Sequence, residues 1–360
     1  MVGTAVIEKT DMNRKEVLGK KEGYRRIAVR LYYPGVEDGP ARSLDFLSEG
    51  KRKGFGKKPN FSLYKQRIAI YEGLKMREGS FPLILFSHGY SGYIEQNSDL
   101  CQYLAENGYI VASIGHPYEA NETVYPDGTS VLFDKSLYLK MFKPLIPAVI
   151  DLYRLRGKKM NAEEALELFN RHQKRYEAFV RERVPEWAND DKLALDAIKD
   201  LAEDECSIFY HKIDLSNGIG ITGHSYGGAL AYYHCIYDDE ISCGINIDGG
   251  IFGEYGTHIN QKPFMQILNP SNVNVVSRSL LYHEGPVHYL VFRDMEHNGF
   301  TDWKLVVRKE STMGKADPVL ALDTLNAAHL AFFDRYLKKK NEGQGKLDID
   351  ERQLQEYKVC

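Results

Sequence analysis

Several things are scarce in this sequence, and each scarcity removes a class of explanation. There are five cysteines, an odd number, at positions 101, 206, 235, 243 and 360, and the closest two are eight residues apart. No C-x-x-C pair exists to hold a metal or run a redox cycle, so free, mostly buried thiols are expected rather than a disulfide framework. No apolar run approaches the ~20 residues that a membrane span needs. The first residues, "MVGTAVIEKTDMNRKEV", lack a basic head followed by an apolar stretch, so they do not read as a secretion leader. The expectation is a soluble, cytoplasmic protein. Charge of one sign is also missing: 47 basic side chains face 50 acidic ones, which gives no nucleic-acid footprint. Internal repeats and low-complexity tracts are absent. Function must come from a site.

What the 360 residues do contain is a succession of short apolar runs separated by helical patterns. "YRRIAVRLYYPG" (24–35) alternates and stops at Pro-Gly, as a strand does, whereas 36–80 is rich in Gly, Lys, Ser and Arg and reads as surface decoration around a short helix near "SLYKQRIAIYEGL". "FPLILF" and "GYIVASIG" are apolar on both faces, with the helical pattern "EQNSDLCQYLAENG" and its terminal Gly cap between them. Runs of this kind belong to a parallel sheet covered by helices on two sides. "VYPDGTSVLF" reads as a hairpin. Further strands follow in "GIGITG", "CGINID", "PFMQIL" and "HYLVF", and "ADPVLALDTLNAAHLAFFDRYLKK" is a closing helix before a polar, partly helical tail. The sequence therefore divides into 1–133 and 213–360 as two halves of an α/β core, with 134–212 as a charged helical insertion forming a cap over the sheet's edge. Within it, "YLKMFKPLIPAVIDLYRL" (138–155) is the one apolar and basic segment, read as a packed cap helix, so membrane contact is not expected.

Two motifs overlap in "GIGITGHSYGGAL" (218–230). Gly218, Gly220 and Gly223 make G-x-G-x-x-G, the phosphate cradle of a nucleotide-binding oxidoreductase, and Gly223, Ser225 and Gly227 make G-x-S-x-G, a turn that raises a nucleophilic serine. A phosphate cradle must follow a strand, yet "YHKIDLSN" before Gly218 is a poor one, and Gly218 and Gly220 alternate with Ile219 and Ile221 inside the only strand available. The serine turn needs a strand before it, small neighbours around it and a helix after it, and it has all three.

A serine alcohol needs a base, a group that orients the base, and donors for the oxyanion. Of eleven histidines, His297 follows the strand "HYLVF" by a short loop and so reaches the carboxyl edge of the sheet; His224 points away from the turn and His88 lies in another one. Asp248 ends "CGINID", whereas "PFMQIL" ends in "NPSN" with Asn269 where a carboxylate often stands; Glu254, Glu284 and Asp294 are the weaker choices. The backbone amides of Tyr226, after the serine, and Tyr90, in "FSHGYSG", suit the oxyanion.

Together "LFSHGYSG", "YLAENGYIVASIGHPYEA", "GITGHSYGGA", "CGINIDGGIF", "EHNGF" and "AHLAFFDRYLK", spread over 81–130 and 217–338, resemble the platelet-activating-factor acetylhydrolase family, plasma and intracellular type II, within the α/β-hydrolase fold. The resemblance implies a mostly parallel sheet with helices on both faces, a triad of Ser225, His297 and Asp248, oxyanion amides at Tyr90 and Tyr226, and hydrolysis of a small, short-acyl ester through an acyl-enzyme. It implies no metal and no organic cofactor. The rivals are a lipase, polyesterase or amidase on the same residues, or a binding protein of this fold without activity.

Overall fold

The computed structural model describes residues 1–19, 22–37, 42–43, 59–137, 140, 160–173, 177–251, 257–276, 281–340, 343 and 345–360. The segment 138–155 read as a cap helix lies, apart from Lys140, outside the described residues, and so does Glu254. Among the described residues a 13-stranded sheet runs through the molecule. Its strands are β1 (Val2–Lys15), β2 (Tyr24–Val36), β3 (Arg42–Ser43), β4 (Ile70–Glu72), β5 (Lys75–Met76), β6 (Phe81–Ser87), β7 (Ile110–Gly115), β10 (Ile213–Asp214), β11 (Ile219–His224), β12 (Ile241–Ile247), β13 (Phe264–Leu268), β14 (Val287–Phe292) and β15 (Leu354–Val359). A separate hairpin pairs β8 (Glu122–Val124) with β9 (Ser130–Leu132) around Pro126-Asp127-Gly128, as the sequence suggests. The helices used below are α1 (Ser62–Arg67), α2 (Ser98–Glu106), α3 (Ala162–Gln173), α4 (Glu177–Glu203), α5 (Tyr226–Tyr237) and α6 (Pro318–Tyr336).

The order across the main sheet is β15-β14-β13-β12-β11-β6-β7-β2-β1-β4-β3. From β14 to β7 every neighbour is parallel, and β7, β2 and β1 continue antiparallel. This is a mostly parallel sheet with helices on both faces. In β6 the alternation of a strand sends Ile84 and Phe86 to one core and Phe81, Leu83 and Leu85 to the other. The first core packs against α2 and α6, and the second against α4 and α5. Burial on both faces is why the sequence of β6 is an unbroken apolar run.

Four parts of the chain depart from expectation. The amino-terminal stretch is a long strand, β1, paired with β2 from Val2 against Pro34 to Lys15 against Tyr24. Residues 36–80, read as decoration, add β3 and β4 to the sheet's edge and β5 beside β2. The polar tail ends in β15, antiparallel to β14, with Leu354 and Tyr357 buried on one side. The charged insertion, read as a cap, includes the long helix α4, which runs through Pro185. Helix α3 lies against the turn Pro270–Val276, whereas α4 is a full member of one helical layer, with Val184, Trp187, Ala188, Leu195 and Ile198 buried in the second core. No described helix is long and apolar enough to cross a membrane. All five cysteines are free, with Cys101, Cys235 and Cys243 buried.

Buried charge fixes α4 in place. Arg25 of β2 grips Asp190 with two hydrogen bonds, Nε to Oδ1 at 3.0 Å and a terminal nitrogen to Oδ2 at 2.6 Å. Arg14 adds another at 2.6 Å, and Arg183 donates to Glu119 at 2.9 Å. Burial by itself raises the Asp190 carboxyl pKa, but the Arg25 charge and the bonds from His116 and Arg25 outweigh it and hold the group well below the usual carboxylate range. A carboxylate depressed in the fold stabilises the native state above its unfolded pKa of about 3.9, and that stabilisation fades as pH falls below it. Arg25→Met leaves the buried Asp190 short of its main partner, so urea unfolding at pH 7 is expected to show a loss of about 3 kcal/mol. The loss should shrink below pH ~4; an equal loss at pH 7 and pH 3 would contradict this account.

Candidate active site

The serine turn is built by close approach. β11 ends at His224 and α5 begins at Tyr226, so the chain reverses at Ser225 alone, which takes φ 56° and ψ −114°. A side chain is rarely held in this region unless its surroundings compel it. The Ser225 amide donates to the Ile247 carbonyl at 2.8 Å, and its own carbonyl accepts from Gly228 and Ala229 at 3.0 and 3.1 Å. Gly227 is required because a Cβ there would stand 2.0 Å from the Ser87 carbonyl oxygen, and at Gly223 it would meet Gly227 at 2.4 Å. Gly220 serves packing instead: a Cβ there would meet Phe333 of α6 at 2.7 Å. Of the G-x-G-x-x-G glycines, Gly218 precedes β11 with φ 77° while Gly220 and Gly223 lie within it, so none stands in a turn between a strand and a helix and the phosphate-cradle reading falls.

Around this turn the structure brings together the three residues singled out by the sequence. His297 Nε2 lies 2.9 Å from Ser225 Oγ, and His297 Nδ1 lies 2.6 Å from Asp248 Oδ2. Parallel pairing explains part of the geometry: His224 is opposite Ile247, so Ser225 and Asp248 each stand one residue beyond the same rung. Asp248 also has a positive φ, 55°. Its carboxylate is buried and fully engaged. Oδ1 accepts from the Asn269 amide at 2.9 Å, and Oδ2 accepts from the Asn269 and Asn272 side chains at 2.7 and 2.9 Å. An imidazole so placed can take the hydroxyl proton while the carboxylate holds its other nitrogen.

The remaining candidates divide. Tyr90 lines a cavity of about 240 Å³ together with Gly89, Ser91, Gly92, Ser225 and His297. Tyr226 is the first residue of α5, and its ring meets that of Tyr90 edge-on at 5.5 Å between centroids. His88 is buried and bonds to the Gly89 carbonyl and the His116 amide, away from Ser225. Glu284 and Asp294 are exposed and make no described bond to His297. Among the described residues no group of three or more His, Cys, Asp or Glu side chains could hold a metal ion. Sequence reasoning missed Asn269, Asn272 and Gln96, and it set aside His224, which the structure places beneath His297, its ring centroid 4.7 Å from the His297 ring. The only hint in the sequence was Asn269, at a strand end where a carboxylate is common.

A second set of the same residue types exists. His116 Nε2 lies 3.3 Å from Ser87 Oγ, and His116 Nδ1 lies 3.0 Å from Asp190 Oδ2. Ser87, His116 and Asp190 are completely buried, and Trp187 stacks on His116 at 3.7 Å. Sealed from solvent in this way, the set anchors α4 to the sheet.

The comparisons with known proteins agree with this fold. The family model described as platelet-activating factor acetylhydrolase, isoform II, matches residues 60–355. The platelet-activating factor acetylhydrolase of Bos taurus is 27% identical over 342 residues, covering 86% of this chain and 71% of that protein. The enzyme of the same name from Cavia porcellus is 24% identical over 338 residues, covering 86% and 72%. A ferulic acid esterase structure from Streptomyces cinnamoneus superposes with a TM-score of 0.68 at 21% identity, over 96% of this chain and 92% of that one. The fold is that of an α/β-hydrolase, and the chain is a carboxylic ester hydrolase. More narrowly, it belongs to the platelet-activating factor acetylhydrolase, isoform II, family.

The close approach at Gly227 yields a test. Gly227→Ala forces a methyl group onto the Ser87 backbone and must shift the serine turn. Ester hydrolysis is expected to fall on the order of 10²-fold, because displacement of reacting groups by ~1 Å carries that penalty. Unfolding should show a loss of about 1–3 kcal/mol. Retention of full activity would mean the turn tolerates displacement, contrary to this geometry.

Proposed function

We propose that the chain is a serine esterase acting on short-acyl esters through an acyl-enzyme. The observation that carries this reading is the continuous hydrogen-bonded line from Ser225 Oγ through His297 to Asp248, opening on the 240 Å³ cavity. His297 Nε2 takes the Ser225 proton as Oγ attacks the ester carbonyl, and Asp248 holds the imidazole tautomer and stabilises the imidazolium that forms. The backbone amides of Tyr90 and Tyr226 stabilise the tetrahedral oxyanion. His297 returns the proton to the leaving alcohol, and water, activated by the same imidazole, releases the acid and restores Ser225. Three donors on the Asp248 carboxylate keep it from turning away from His297. The preference for a short acyl group is supported by the modest cavity and by relatives named as acetylhydrolases.

Hydrolysis of p-nitrophenyl esters from acetyl to palmitoyl tests this reading. Wild-type turnover should peak at the shortest chains, and kcat should fall on the order of 10⁶-fold in Ser225→Ala and on the order of 10⁴-fold in Asp248→Asn. A peak at long chains would replace the short-acyl reading with a lipase. Activity of Ser225→Ala within tenfold of wild type would overturn the role of the serine.

A further inference from the structure

His224 is buried directly under His297, and the mechanism above makes no use of it. Its Nε2 lies 2.9 Å from the His297 carbonyl oxygen. A carbonyl only accepts, so Nε2 carries the proton and Nδ1 presents a lone pair. That lone pair faces Gln96 Nε2 at 2.9 Å. Two further contacts set the direction of the Gln96 amide: Nε2 also reaches Asn97 Oδ1 at 3.4 Å, and Oε1 accepts from the Gly89 amide at 3.3 Å. Every donor in the series points the same way. One line of hydrogen bonds therefore runs from Gly89, next to Tyr90, through Gln96 and His224 to the backbone of His297.

The surroundings are shaped to hold this line. A Cβ at Gly92 would stand 2.1 Å from Gln96 Oε1, and one at Gly89 would press on His224 Nδ1 and Ser225 Cβ, each at 3.2 Å. The Gln96 carbonyl accepts from the Asp302 amide at 3.1 Å, which ties the same residue to the segment after His297. Burial, together with the neighbouring His297, pushes the His224 imidazole well below its ordinary range. It stays neutral, the form that can donate with one nitrogen and accept with the other.

We propose that His224 and Gln96 are positioning residues for ester hydrolysis, forming a relay that fixes the His297 imidazole and the Tyr90 amide relative to each other around Ser225. The proposal rests on the serine-esterase reading given above. General base and oxyanion donor come from separate loops, and small errors in their separation are costly in rate. The relay joins those loops along the wall of the substrate cavity, which Gly89, Gln96, His224 and His297 all line.

The test measures p-nitrophenyl acetate turnover per active site, with sites counted by stoichiometric labelling with a fluorophosphonate. A merely structural role reduces the number of sites that label, whereas a positioning role reduces kcat at sites that do label. Gln96→Met is expected to lower kcat per labelled site on the order of 10-fold with KM within about twofold. His224→Ala should lower it roughly 10- to 100-fold, and His224→Gln, which keeps a donor near Nε2, should recover at least about fivefold of that. Once one member is gone the other has nothing to transmit, so the double variant should be within about threefold of the slower single variant. If His224→Ala does not fold, Gln96→Met, His224→Gln and their combination complete the same cycle. A kcat within twofold of wild type in Gln96→Met, or losses that multiply in the double variant, would overturn the relay. Failure of wild-type protein to label would instead remove the serine-esterase reading on which it rests.

Discussion

The contact on which the site depends is the one between the Ser87 carbonyl and the bare backbone of Gly227. It lets β11 turn into α5 through a single residue, and that residue is Ser225. The unusual backbone angles of Ser225 are held by hydrogen bonds on both sides, from its amide to Ile247 and from Gly228 and Ala229 to its carbonyl. Because β11 and β12 are parallel and in register, the same arrangement delivers Asp248 one strand away. His297 comes from beyond β14 and closes the set by crossing the end of β13. Two strained residues and one loop thus converge where a sheet's carboxyl ends leave room for a ligand.

The two cores explain why so precise a set can be held. Alternating residues of the central strands fill both faces, so the strand ends cannot tilt without disrupting the packing against α2 and α6 on one side and α4 and α5 on the other. Helix α4 is joined to this frame by Arg25, Arg14, Asp190, Arg183 and Glu119, all charged and all at least mostly buried. The buried Ser87, His116 and Asp190 show that residue type and spacing alone do not make a site. What separates them from Ser225, His297 and Asp248 is access: one set opens on a cavity and the other is sealed under Trp187.

The sequence was most legible where burial was complete and apolar. β6, β7, β11, β12, β13 and β14 all read as strands, because residues facing two cores leave few polar interruptions. The serine turn was legible because close backbone approach demands glycine at fixed offsets. Strands β1 and β15 were hidden by their half-exposed faces, whose Lys, Glu and Asp mask the buried alternation. Helix α4 was misread as lying over the edge since its buried charges look like surface residues until their partners across the fold are known. Asn269, Asn272, Gln96 and His224 were illegible as site residues for a related reason: a neutral amide or imidazole leaves no periodic trace, and its importance lies in which way its hydrogen bonds point.

The central claim is that Ser225 is the one serine made nucleophilic by its surroundings. The most direct measurement is covalent labelling of the wild-type protein with a fluorophosphonate at neutral pH, followed by peptide mapping of the modified residue. The account predicts one label per chain, on the peptide carrying Ser225, with labelling lost in His297→Ala. A label on any other serine, or labelling that persists without the imidazole, would contradict it.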